Sequence, residues 1–141
     1  MATKADFTED EWHALQKGVT GAGMLVSVSD ADFTDSFGEA SALAKFLAEQ
    51  RRTNESELVR EIAAVHGGGF GLTASREKVE TETMAALRSA VATLSAKAPD
   101  DLVAYRRLVL DLAQAVAGAK GGVTETETKV IDSVRDALES I

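Results

Sequence analysis

Pro99 is the only proline in a chain of 141 residues, and that fact narrows the fold more than any motif does. Proline breaks helix interiors because it lacks an amide hydrogen and its ring strikes the preceding turn. A chain almost free of it can run long helices without interruption. The apolar residues fit that freedom. They recur three and four positions apart, the spacing that gathers side chains on one helix face. No useful stretch alternates polar and apolar as a strand would. Aromatics make up 5% of the chain while Ala, Leu, Val and Glu abound. That balance suits helices packed closely through small side chains.

Start and stop signals divide the pattern into about six helices. Residues 1–6 are polar and expected to fray. Thr8 reads as an N-cap with Glu11 as its capping-box partner, followed by the stripe Trp12, Leu15, Val19, Ala22 and Val26. Gly18, Gly21 and Gly23 interrupt this helix. Their order is not a dinucleotide-binding fingerprint and no strand precedes them, so they predict close helix approach or a kink. The approach is either inside the fold or across a homodimer interface. A second helix starts at Thr34 or Ser36, with Phe37, Ala40, Leu43, Ala44 and Leu47 as its stripe, and ends at Gln50-Arg51-Arg52. Asn54, with Glu57 three residues on, predicts the cap of a short third helix carrying Leu58, Ile62 and Val65. His66-Gly67-Gly68-Gly69 stops it. A fourth helix resumes near Thr73 or Ser75 with Val79, Met84, Leu87, Val91 and Leu94. Pro99 or Asp100 opens a fifth, carrying Leu102, Tyr105, Leu108, Val109, Leu112 and Val116. Thr124 starts the last, with Val130, Ile131, Val134, Leu138 and Ile141. The predicted architecture is all-α: a compact bundle with residues 7–141 as one domain.

Charge and composition exclude several functions. A net charge of −8 opposes nucleic acid, which needs a basic face, and acidic membrane surfaces. No run of roughly 18 apolar residues predicts a spanning helix, and the polar start has no signal-peptide core. The absence of cysteine removes disulfides, thiolate zinc sites and cysteine nucleophiles. A cytoplasmic protein is the simplest reading.

Catalytic constellations are thin. His66-Gly67-Gly68-Gly69 lacks the G-x-S-x-G elbow that a hydrolase oxyanion hole accompanies. The two histidines, His13 and His66, lack metal-binding spacing. Arg106 and Arg107 are free to pair with nearby acids or a partner. Two acidic corners between helices are where a divalent cation would bind. The first holds Asp30, Asp32 and Asp35; it starts like a calcium loop but has Asp35 in place of the sixth-position Gly and Ser41 in place of the twelfth-position Glu. The second runs from Ala119 to Glu127. Each also reads as a turn with helix caps.

Those corners carry a resemblance. Ala119-Lys120-Gly121-Gly122-Val123-Thr124-Glu125-Thr126-Glu127 is similar to the corner of the TerB-like family of small bacterial helical proteins, named for tellurite resistance. The family pattern is a helix ending in Ala-Asp-Gly, followed by a Ser/Thr-x-x-Glu helix start. Lys120 stands where the Asp belongs. At the first corner Asp30 holds the Asp position, Ala31 replaces the Gly, and Phe37 falls where the Glu is expected. The opening Phe7-Thr8-Glu9-Asp10-Glu11-Trp12 also looks like the start of uncharacterised bacterial relatives. The resemblance implies an all-helical fold, a bacterial cytoplasmic setting and a link to metal or chemical stress. It further implies cation binding through acidic corner residues, here Asp30 and Glu127, although an ammonium at Lys120 opposes a cation beside it.

Three functions follow as expectations. The first is a non-enzymatic helical module acting by contact with a protein partner. The second is a divalent-cation sensor or buffer using Asp30, Asp32, Asp35 and Glu127. The third is an enzyme of unknown class.

Overall fold

The computed structural model describes residues 4–29, 36–64, 76–118 and 125–139; of 27–29, 36–42, 76, 126 and 127 it describes the backbone alone. These residues form α1 (Glu9–Ser29), α2 (Ser36–Thr53), α3 (Glu57–Ala63), α4 (Arg76–Lys97), α5 (Pro99–Ala117) and α6 (Glu125–Leu138). No strand occurs among the described residues, and the fold is an all-α bundle. No described helix is long and apolar enough to cross a membrane.

α1 is the axis of the bundle. It touches all five other helices, and α4 most extensively. Its start is the expected capping box: the Glu11 amide donates to Thr8 Oγ1 at 3.1 Å, and the Thr8 amide donates to Glu11 Oε1 at 2.8 Å. Two of the helix's first amide donors thereby gain acceptors. Ahead of it, Lys4–Asp6, expected to fray, form a single 3-10 turn, closed by the Phe7 amide donating to the Lys4 carbonyl at 3.2 Å. Trp12, Leu15, Val19, Ala22 and Val26 are all buried, each large member contributing roughly 1.5–3 kcal/mol of burial.

The three glycines of α1 lie inside the fold, each against a neighbour. A Cβ at Gly18 would sit 2.6 Å from the Tyr105 hydroxyl and 2.9 Å from Leu87 Cδ2. At Gly21 it would strike the Thr83 side chain, and at Gly23 it would lie 2.9 Å from Leu43 Cδ1. The glycines therefore let α5, α4 and α2 approach the α1 backbone. The Tyr105 hydroxyl, wholly buried, donates to the Leu15 carbonyl at 2.7 Å and ties α5 to α1. Burial raises its pKa well above the ordinary phenol value.

The core runs through all six helices. In α2, Leu47 is buried and Phe46 packs against the core, but Ala44, expected on the apolar stripe, is exposed. In α4 the buried line is Val79, Thr83, Leu87, Val91 and Leu94, so Thr83 holds a core position while Met84 is half-buried. One residue, Ala98, separates α4 from α5: its amide closes α4 on the Leu94 carbonyl at 2.8 Å, and its carbonyl accepts from the Asp101 amide at 2.9 Å. Pro99 occupies the first turn of α5, where its missing N–H costs no bond. On α6, Val130, Ile131, Val134 and Leu138 are buried as expected. Arg106 Nε donates to the Leu138 carbonyl at 2.9 Å, supplying one of the last carbonyls of α6 with a donor.

Candidate functional site: a polar cleft between α2, α3 and α5

The turn from α2 to α3 is held by side chains that bond to their own neighbourhood. Asn54 was expected to cap α3; Ser56 does so instead. The Val59 amide donates to Ser56 Oγ at 3.2 Å. Asn54 serves one step earlier: its Oδ1 accepts from the Ser56 amide at 2.9 Å, an Asx turn, while its Nδ2 donates to Gln50 Oε1 at 2.7 Å. Ser56 Oγ also donates to Asp101 Oδ1 at 3.0 Å. One hydroxyl thus caps α3 and fastens it to the first turn of α5, 45 residues away in the chain.

Beside this fastening lies a cleft of about 560 Å³. The end of α2 contributes Gln50 and Thr53, the connecting turn Asn54, Glu55 and Ser56, and α5 contributes Asp100, Asp101, Ala104, Arg107, Leu108 and Asp111. Its size falls within the range of small-molecule and side-chain pockets, about 300–1,000 Å³. Four carboxylates, Glu55, Asp100, Asp101 and Asp111, share the lining with one guanidinium, Arg107, for a net charge of −3. Two apolar residues, Ala104 and Leu108, complete it. Among the described residues, no group of three or more acids or histidines is placed to hold a metal ion.

None of the acids expected to bind a cation has a described side chain. Asp30, Asp32 and Asp35 are outside the described residues, as are Lys120 and Thr124; Glu127 lies in the first turn of α6, with its side chain not described. His66 and its glycines are likewise outside. His13 is exposed on α1. The two adjacent arginines part company: Arg106 serves the end of α6 and Arg107 faces the cleft. Sequence reasoning did not pick out Ser56, Asp101 or Asp111. The signal that could have found Ser56 is its residue type, a serine with strong N-cap preference two positions after Asn54.

Two ion pairs on other faces shift carboxylates. Lys97 Nζ lies 2.6 Å from Glu11 Oε1, and Lys17 Nζ lies 2.8 Å from Glu82 Oε1. Bonding to these ammonium groups holds both carboxyls below the ordinary glutamate range.

Comparison with protein-family models, with curated proteins and with solved structures found no match for this chain.

Proposed function

We propose that this chain is a non-enzymatic interaction module of TerB-like type that receives a basic segment of a partner protein in the α2–α3–α5 cleft. The observation supporting it is the charge of the lining, four carboxylates against one guanidinium. Lysine or arginine side chains entering there would meet acceptors on several sides, and Arg107 would meet a carboxylate of the same segment. Complementarity of this kind sets partner choice and encounter rate more than affinity. The link to metal or chemical stress comes with the family resemblance alone.

The test is a heteronuclear NMR titration of the full chain with a ten-residue peptide of alternating Lys and Ser. Amide shifts should concentrate at 54–56 and along the cleft face of α5. Asp100→Asn with Asp111→Asn should weaken binding by about fivefold, in keeping with exposed charge pairs. Shifts spread evenly over the acidic surface, or an unchanged affinity in the double variant, would overturn the reading.

A further inference from the structure

The molecule has a second recess, at the start of α1, and Lys4 forms part of its wall. The recess measures about 290 Å³ and includes Phe7, Trp12, Glu9 and His13 in its lining. Phe7 and Trp12 stand 6.0 Å apart between ring centres, tilted by 44°. The Lys4 ammonium lies over the Trp12 ring, 5.8 Å from its centre. An aromatic face carries negative potential and attracts a cation within about 6 Å. Lys4 is thus placed as a ligand cation would be.

Lys4 is held there chiefly by its backbone. Its amide donates to Glu61 Oε2 on α3 at 3.0 Å, and its carbonyl accepts from the Phe7 amide at 3.2 Å. The residue itself is exposed. Beside it, Lys97 Nζ lies 5.8 Å from the centre of the Phe7 ring and 3.3 Å from the Asp6 carbonyl, while pairing with Glu11. The 3-10 turn is therefore pinned at both ends, and the Lys4 side chain can leave the ring without breaking either backbone bond.

We propose that this recess is a cation site for a lysine or arginine side chain of a protein partner, and that Lys4 is its built-in competitor. The Trp12 face supplies the attraction and Glu9, in the same lining, supplies the opposite charge. A tethered lysine competes at the high effective concentration of an intramolecular group. A partner must displace it, so the turn sets a threshold for binding. The proposal uses different residues from the α2–α3–α5 cleft, and either can fail without the other.

Trp12 is the only tryptophan, so its fluorescence reports the site directly in the full chain. The probe is tetramethylammonium chloride, with tert-butanol as a neutral molecule of similar shape and sodium chloride as the ionic-strength control. Tetramethylammonium should change the emission saturably and tert-butanol should not. Lys4→Ala keeps both backbone bonds and should lower the half-saturating concentration by about two- to fivefold, the worth of one exposed cation–π contact. Lys4→Arg should titrate like the natural chain. Identical curves for the natural chain and Lys4→Ala would overturn the competitor role. An equal response to tert-butanol, or no saturable response in Lys4→Ala, would overturn the site.

Discussion

The α1–α4 seam and the α2–α5 face are both helix pairs with apolar stripes, yet one closes and the other leaves a cleft. At the seam, Gly18 and Gly21 oppose Leu87 and Thr83 closely enough that neither glycine can take a Cβ without displacing them. Between α2 and α5, the end of α2 brings Gln50, Thr53 and Asn54 toward Asp100, Asp101 and Arg107, and about 560 Å³ stays open. All four helices carry apolar residues at helical spacing. What differs is the size and polarity of a few residues where the helices meet. Small residues let backbones approach and dispersion contacts accumulate. At the cleft the polar side chains bond to one another, Asn54 to Gln50 and Ser56 to Asp101, and do not fill the space between the helices.

Enlarging the two regions should break this comparison if it is wrong. Gly21→Leu should cost about 3 kcal/mol or more and leave little folded protein, because no rotamer escapes Thr83. Gly21→Ala should cost less, about 1–3 kcal/mol from overpacking, offset by about 1 kcal/mol of better helix propensity. Ala104→Leu, which adds three carbons to the cleft where Gly21→Leu adds four to the seam, should change stability by no more than about 0.5–1 kcal/mol. Urea denaturation measures all three. Equal losses for Gly21→Leu and Ala104→Leu would remove the distinction. A double-mutant cycle sharpens it. The Thr83 hydroxyl is buried and finds no hydrogen-bond partner among the described residues, so Thr83→Ala should be close to neutral alone. It should also recover much of the loss in Gly21→Ala, a coupling of about 0.5–3 kcal/mol.

Polar fastenings at the two regions rank next. Tyr105→Phe removes the donor to the Leu15 carbonyl while keeping the ring, and should lower stability by about 1–2 kcal/mol in the same measurement. Ser56→Ala removes the α3 cap and its bond to Asp101, and should cost about 1 kcal/mol. Hydrogen exchange separates the two. The tyrosine change should speed exchange across the bundle, and the serine change chiefly in α3, a seven-residue helix with little stability of its own.

How far these features could be read in advance follows from how local their causes are. The Thr8–Glu11 box was legible because both partners lie within one turn. The α5 stripe and the break at Ala98-Pro99 were legible for the same reason. Asn54 reads as the cap because Glu57 follows at capping-box spacing, but Ser56 has Asp101 to bond across the fold, and no local rule contains that carboxylate. Thr83 shares a stripe with Val79 and Leu87, yet a polar residue enters a core line only because Gly21 faces it. The glycines themselves signalled close approach, but that they meet the fold's own Tyr105, Leu87, Thr83 and Leu43 depends on helices distant in the chain. The cleft combines the end of α2, a turn and the outer face of α5. Its acids are ordinary first-turn and surface residues until the fold brings them together.

The smallest effect expected is a dependence on pH, and it bears on how the seam and the N-terminal turn are pinned. Glu82 pairs with Lys17 across the α1–α4 seam, and Glu11 pairs with Lys97 beneath the turn. Both carboxyls titrate below the ordinary glutamate value when folded. The unfolded chain therefore binds more protons in the window just below that value, and stability must fall as pH falls. The contribution is complete above the unfolded glutamate pKa of about 4.3 and is lost as pH drops through the lower folded values. Both pairs are solvent-accessible, so the effect should be small and should shrink further in high salt. Melting temperatures from pH 6 to pH 3 should decline in the natural chain and decline less in Glu82→Gln and in Glu11→Gln. Glu11→Gln should also free Lys97, loosening the turn that carries Lys4, and so raise the Trp12 response to tetramethylammonium at neutral pH. Glu82→Gln should leave that response unchanged. If the two variants behave alike in both measurements, the turn and the seam are not separately pinned.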